Sequence, residues 1–169
     1  MPGPMSSPWL RHAWSAIAEL GDPVIVRVVL EQFARLHAQA DGRFMDEFCN
    51  ACALLGTAAV PELRDHVLDR RHGEEFRIVV ADGLTQAACA DEGALDEVIE
   101  LFARGLRDAR HDERGLNAFF VDGLAELGAV EHADLIASAF RDGIVDTEFC
   151  GDWEYIAREL GLGTTGSAN

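Results

Sequence analysis

Cysteine and histidine are the side chains in this sequence best suited to metal or redox chemistry. Cys49 and Cys52 form a CxxC pair, and six histidines are spread along the chain: His12, His37, His66, His72, His111 and His132. A structural zinc site needs four ligands, from two such pairs or from one pair with suitably spaced histidines. The sequence holds no second pair. We therefore predict reduced cysteines packed in a core, surface histidines, and neither metal nor cofactor, with metal or redox use of the CxxC pair as the alternative.

The tripeptide Asp-Gly-Leu occurs twice, at Asp82–Leu84 and at Asp122–Leu124. Glycine at such a position allows two helices to approach closely, and the aspartate can accept hydrogen bonds from a neighbouring backbone or an arginine. We interpret both copies as structural. Two other interpretations stay open, namely a pair of carboxylates for acid–base catalysis and a contact with a ligand or partner.

Aromatic and acidic residues alternate near the end of the chain, as Asp152, Trp153, Glu154 and Tyr155. Tryptophan and tyrosine beside carboxylates suit a hot spot for a basic, arginine-bearing partner. The structural alternative is a cap, in which Trp153 covers the core of the last repeat and Asp152 begins the final helix. We take the four residues as a candidate partner-binding site.

A second candidate surface consists of Asp96, Glu97 and Glu100, which lie within five residues of one another. Their spacing, with Arg104 four residues after Glu100, predicts an exposed helix face with an ion pair between Glu100 and Arg104. The three acids are added to the candidate partner-binding residues. We assign no catalytic residue.

Net charge limits the possible partners. The 169 residues include 30 acids and 14 basic residues, all of them arginine, which gives a net charge of −16. Twenty-one of the acids but only seven arginines lie in residues 73–169. Such a field argues against binding to nucleic acid or to an anionic membrane surface. It serves either solubility or docking of a basic protein. Without a secretory pattern or an 18-residue apolar run, we expect a cytoplasmic location.

The elements that must position these residues are helices in a repeated arrangement. Four segments of small residues end in Leu-Gly or its equivalent, 32 to 40 residues apart, at Gly21, Gly56, Ala88 and Gly128. Each segment closes one helical pattern and precedes another, and a terminal glycine suits a left-handed C-cap. The repeating unit is therefore helix, tight turn, helix.

In these closing segments the chain resembles the HEAT-like repeat proteins, and the resemblance covers most of residues 9–142. Its last part, with Gly151-Asp152-Trp153-Glu154 and Leu160-Gly161-Leu162, also looks like the C-terminal end of short bacterial HEAT-like proteins. The resemblance implies an all-α fold, a right-handed α-solenoid of about four HEAT-like helix pairs plus a C-terminal capping helix. Second helices would line the concave face. The resemblance brings no activity with it.

We predict a single solenoid domain over residues 9–162, with flexible segments at 1–8 and 163–169. The favoured function is non-catalytic binding of a basic protein partner, as an adaptor, an inhibitor or an immunity-type protein. The alternative is a small-ligand binder or a lyase-like enzyme with a pocket on the concave face, because HEAT-like repeats also occur in bilin lyases. The sequence lacks a phosphate-binding glycine loop, HExxH and GxSxG, which disfavours enzymes with those motifs.

Overall fold

The computed structural model describes residues 26–27 and 42–163, and over these ranges the chain is helical with no β-strand. The all-α prediction is confirmed for this part of the chain. Predictions that concern residues 1–25, 28–41 and 164–169 lie outside it, including the first closing segment, His12, His37 and the flexible segment at 1–8. From residue 42 onward we number the α-helices α1 (Gly42–Leu55), α2 (Val60–Val67), α3 (Glu74–Ala90), α4 (Leu95–Arg107), α5 (Arg114–Glu126), α6 (Ala133–Arg141), α7 (Thr147–Cys150) and α8 (Trp153–Glu159).

The chain divides into two compact units between Ala94 and Leu95. The first unit contains α1 to α3 and the second contains α4 to α8. The single domain over residues 9–162 stays a prediction.

Helix α3 is the central element of the first unit, because both α1 and α2 pack against it. A helix that is apolar on more than one face is buried between neighbours, and α3 has this character. Its buried apolar side chains extend over its whole length: Phe76, Val79, Val80, Leu84, Ala87 and Ala88. The β-prone run Ile78-Val79-Val80 therefore lies inside a helix, since tertiary packing outweighs a weak local preference.

Gly56 and Pro61 mark helix boundaries of the first unit, and the predicted closing role of Gly56 is confirmed. Gly56 follows α1 with φ of +53°, the left-handed conformation expected of a closing glycine. Pro61 lies in the first turn of α2, where its missing N–H leaves no helical hydrogen bond unmade. The third closing segment departs from this pattern, because α3 continues through Ala87 and Ala88 to Ala90.

Asp91 joins the turn after α3 to the turn after α1. Its carboxylate accepts hydrogen bonds from the backbone N–H of Thr57 at 2.9 Å, from the Thr57 hydroxyl at 2.6 Å and from the backbone N–H of Gly93 at 2.9 Å. These bonds favour the charged form and lower the pKa of Asp91. One side chain thus fixes two turns that are 34 residues apart in the sequence.

Gly83 lies where α3 packs closely against α1. A Cβ atom at this position would lie 2.6 Å from Phe48 Cε1 and 3.0 Å from Cys52 Sγ. Any larger residue would therefore require the Phe48 side chain to shift or the two helices to move apart. The structural interpretation of the first Asp-Gly-Leu tripeptide is confirmed for its glycine.

In the second unit, α4 packs against α5 and α6, and α8 packs against the same two helices. The core includes Phe102 and Phe120, whose ring centroids are 5.4 Å apart, together with Ile136 and Ile156. Gly128 and Gly151 end helices with φ of +69° and +82°. The predicted final helix, which follows Gly151, is confirmed.

Buried Asn117 fastens two loops of the second unit to α5. Its side-chain amide donates hydrogen bonds to the carbonyl oxygens of Arg110 at 2.9 Å and Ile144 at 2.7 Å. Arg114 adds a hydrogen bond from Nη2 to the carbonyl oxygen of Val145 at 2.9 Å. The chain entering α7 is therefore held in place by polar contacts from α5, and this positions the residues that follow it.

Candidate functional site

Asp152 begins α8 as its N-cap residue. Its carboxylate accepts a hydrogen bond from the backbone N–H of Tyr155 at 2.9 Å, which satisfies one of the free amides of the first helical turn. Trp153 is half-buried, and its ring centroid lies 6.3 Å from that of Phe140 on α6. The structural role predicted for Asp152 as a helix cap is confirmed. Glu154, the next acid along, is exposed.

Tyr155 remains open to solvent, with 45% of its surface exposed. One part of its ring lies over Gly151, where a Cβ atom would be 3.1 Å from Tyr155 Cδ1. The guanidinium carbon of Arg158 is 6.0 Å from the ring centroid, at the outer limit of a cation–π contact. Tyr155 therefore offers an exposed aromatic surface that already accommodates one arginine of its own chain.

Exposed Phe149 and half-buried Phe119 form an aromatic pair that the sequence analysis missed. Their rings are stacked, with centroids 4.2 Å apart and an interplanar angle of 22°, and Phe149 is 51% exposed. Phe119 belongs to α5, Phe149 to α7 and Tyr155 to α8, and both α7 and α8 pack against α5. The Tyr155 ring lies over Gly151, two residues after Phe149, and we call Phe119, Phe149 and Tyr155 the aromatic ledge. The missed signal was the position of Phe149 in a single helical turn, too short to bury a large side chain.

The acids Asp96, Glu97 and Glu100 are exposed on α4, as predicted. Glu100 does not pair with Arg104, so this predicted ion pair is wrong. The carboxylate oxygens of Glu100 lie instead 3.8 Å from Arg107 Nη1 and 3.4 Å from His132 Nε2. The physical reason is that Glu100 turns toward the 3₁₀ turn Val130–His132, away from its own next helical turn.

The structure thus places the candidate residues in two groups rather than one. Asp152, Trp153, Glu154 and Tyr155 belong to α8, whereas the three acids belong to α4. The two helices share α5 and α6 as packing neighbours. Only the α8 group has exposed aromatic side chains on the same and the adjacent helix, so it offers both charge and apolar surface.

His132 differs from the surface histidines that the sequence predicted. Its side chain is only 11% exposed, and its Nε2 atom lies 3.4 Å from a carboxylate oxygen of Glu100. His66 and His72 are half-buried in the first unit, with His66 Nδ1 and His72 Nε2 3.1 Å apart. The ring of His72 also lies against Phe76, with centroids 4.5 Å apart. Partial burial and the nearby His66 lower the pKa of His72.

The CxxC pair faces α3 in the first unit. Cys49 is half-buried and donates a hydrogen bond from Sγ to Oδ2 of Asp82 at 3.2 Å, whereas Cys52 is fully buried. Burial, and next the Asp82 carboxylate, raise the pKa of both thiols far above the ordinary value. A thiol that stays protonated is a poor nucleophile and a poor metal ligand.

The other two cysteines differ in exposure. Burial, followed by the charge of Asp122, raises the pKa of Cys150 to about 11. Cys89 is exposed, so the prediction that all four cysteines are core residues is wrong for this one. The reason is its place one residue before the end of α3, where the helix leaves the core.

Within residues 26–27 and 42–163, no three histidine, cysteine or acidic side chains form a group that could hold a metal ion.

Comparison with known proteins found no matching family model, no similar curated protein and no similar solved structure. In the ranges that the structure describes, the helices are also too short or too polar to cross a bilayer.

Proposed function

We propose that the protein is a non-catalytic binding module, an adaptor, inhibitor or immunity-type protein, which docks a basic protein partner on its acidic surface. The single observation that carries the proposal is the exposure of Glu154 and Tyr155 on α8 and of Phe149 on α7, two residues before the Gly151 over which the Tyr155 ring lies. Aromatic residues with a charged rim are the usual composition of a binding hot spot.

The HEAT-like solenoid belongs to this proposal. In a stacked array of helix pairs, first helices pack on first helices and second helices on second helices. Packing of α1 against α3, both first helices, supports this layout in the first unit. Packing of α4 against α6, both second helices, supports it in the second unit. A protein of this class uses its repeated surface to hold another macromolecule, in keeping with the cytoplasmic adaptor role.

The negative net charge of the protein favours a basic partner. The net charge of −16 gives a field that attracts cationic proteins and raises their rate of association. The acids of α4 are exposed, so salt screens them readily and their contribution is greatest at low ionic strength. The alternative, a small-ligand binder or a lyase-like enzyme, gains no support from the buried thiols, because both are held protonated.

The proposal is tested by capture of partners on tagged full-length protein from its native lysate, at ~50 mM and ~500 mM salt, where screening weakens exposed charge contacts. We expect a stoichiometric basic protein at low salt that is lost at high salt. The test variant is Asp152→Asn with Glu154→Gln, since asparagine retains the helix cap. It should lose the partner.

The matched control removes the same charge elsewhere, by Asp65→Asn with Glu75→Gln, both exposed residues of the first unit. This control should retain the partner. Equal loss in both variants would show a general charge effect and contradict the proposed site. Absence of any partner at either salt concentration would overturn the binding proposal.

A further inference from the structure

We infer that the recognised element of the partner is a cationic amphipathic segment, whose apolar side chains pack on the aromatic ledge while its arginines or lysines contact the acids around it. The inference rests on the proposed function and adds the chemistry of the partner. It also assigns the central contact to Phe149, which no charge argument would select.

The aromatic ledge provides the apolar half of the site. Phe149 is 51% exposed and Tyr155 is 45% exposed, and Phe149 is supported from beneath by the stacked ring of Phe119. Stacking fixes the Phe149 ring, so little conformational freedom is lost when a partner covers it. A pre-ordered aromatic ring that remains open to solvent suits an anchor for apolar side chains.

The rim of the ledge is acidic. Between residues 142 and 163 the chain has one basic residue, Arg158, and six acids: Asp142, Asp146, Glu148, Asp152, Glu154 and Glu159. Asp146 and Asp152 use their carboxylates to cap α7 and α8, through the backbone N–H groups of Glu148 and Tyr155. Exposed Glu148 and Glu154, neighbours in sequence of Phe149 and Tyr155, are not used as caps. They are the acids placed to meet a partner's cations.

This charge selects among the possible occupants of the ledge. A second copy of the chain would bring an identical acidic rim against the first, and like charges in contact are unfavourable. Nucleic acid and anionic lipid are repelled for the same reason. A helix with basic residues on one side and leucines on the other satisfies both the apolar ledge and its rim.

The test uses full-length protein and three synthetic 16-residue peptides. The first contains leucine, alanine and arginine with leucine at helical i, i+3, i+4 spacing, the second has the same composition in shuffled order, and the third replaces arginine by glutamate. Binding is measured by fluorescence anisotropy at ~100 mM salt, where charge contacts still act. We expect the first peptide to bind at least ten times more tightly than the second, and the third not to bind.

Protein variants locate the contact. Phe149→Ala should weaken binding of the first peptide by about tenfold, the order expected for loss of an aromatic anchor. Leu54→Ala is the matched control, because Leu54 is an equally open side chain, 58% exposed, in the first unit. It should leave binding unchanged. Glu148→Gln with Glu154→Gln should weaken binding and flatten its salt dependence. Circular dichroism checks that each variant retains its helices.

Four outcomes would overturn the inference. Equal binding of the amphipathic and shuffled peptides, with loss in the Glu148 and Glu154 variant, would leave charge docking intact and remove the apolar anchor. A basic partner captured from lysate whose binding survives Phe149→Ala would do the same. Absence of peptide binding together with absence of any captured partner would overturn the proposed function as well. A dimer in sedimentation that dissociates in Phe149→Ala would assign the ledge to a second copy.

Discussion

The thiol of Cys49 donates a hydrogen bond to the carboxylate of Asp82 across 3.2 Å, and this bond links α1 to α3. Burial, and next the same carboxylate, raise the pKa of Cys52, which lies about one helical turn further along α1. Asp82 is half-buried and is followed by Gly83, the residue that allows the two helices to meet. One dipeptide of α3 therefore permits the close contact of the two helices and adds, after burial, to the raised pKa of both CxxC thiols.

Thiol labelling with iodoacetamide at about pH 8 should separate the four cysteines. We expect exposed Cys89 to react first, with Cys49, Cys52 and Cys150 slower, since burial raises the pKa of each of these three thiols. Peptide mass mapping after timed quenching measures each rate.

Asp82→Asn should increase the rate at which iodoacetamide labels Cys49, because removal of a neighbouring negative charge lowers the pKa of the thiol. We expect a several-fold change, as burial remains the larger cause. Cys150 is the internal control, since its pKa depends on Asp122 rather than on Asp82. An unchanged rate at Cys49 would contradict the electrostatic role of Asp82.

Gly83→Ala should destabilise the protein, because the new methyl group would lie 2.6 Å from Phe48 Cε1. Overpacking costs roughly 1–3 kcal/mol, which exceeds the gain of up to about 1 kcal/mol from better helix propensity. Urea unfolding measures the free energy. Phe48→Leu shortens the opposing side chain, so the double variant should be more stable than the sum of the single changes predicts, by about 1 kcal/mol. Strict additivity would show that the contact does not limit the helix spacing.

The sequence predicted the helical class, the glycine-terminated helices and the cap at Asp152, because each depends on a local pattern. Periodicity places Val98 and Phe102 in the core whatever lies beside them. The exposed stack of Phe119 and Phe149 could not be predicted in this way. It depends on how a single turn, α7, lies against α5, and the hydrogen bonds that fix its approach come from residues about 30 positions away. The partner of Glu100 was missed for the same reason, since His132 reaches it from another element.

Asn117→Ala should lower the free energy of unfolding by about 2–3 kcal/mol, since it removes the donor to two carbonyl oxygens, one of them at a fully buried contact. The loops before α5 and before α7 should become more susceptible to limited proteolysis. Ser138→Ala is the control, because the Ser138 hydroxyl lies 3.4 Å from Asp142 in an exposed contact. Its expected effect is below about 0.5 kcal/mol. Similar losses in the two variants would contradict the fastening role of Asn117.

Stability should fall when the pH drops below about 6.5, the ordinary pKa of histidine, because the folded state depresses the pKa of His72. In this pH window the unfolded chain binds more protons than the folded chain. The free energy of unfolding therefore increases as the pH rises and decreases as the pH falls. The groups that face His72 are His66 from α2, Asp69 and Arg71 from the connecting turn, and Arg77 from α3. Asp69 opposes the shift, and the other three support it.

His72→Gln removes this titration, so its unfolding free energy should vary less between pH 5 and pH 7.5 than that of the unchanged protein. Urea unfolding at four or five pH values gives the two slopes. His111→Gln is the control, because His111 is exposed. The unfolding free energy of this variant should depend on pH as steeply as that of the unchanged protein. Equal slopes for His72→Gln and the unchanged protein would remove His72 as the cause of the acid sensitivity.

Positions 56 and 91 cannot vary independently. Gly56 has φ of +53°, and a Cβ atom there would lie 2.7 Å from both Cβ and Oδ2 of Asp91. Asp91, which accepts the hydrogen bonds of Thr57, therefore also excludes every side chain from position 56. Because the clash includes the Cβ atom of Asp91, only glycine at position 91 would make room for a side chain at position 56, and φ of +53° would still strain that side chain. The hydrogen bonds from Thr57 to the Asp91 carboxylate would then be lost together. The two turns form one unit of covariation, although 34 residues separate Thr57 from Asp91.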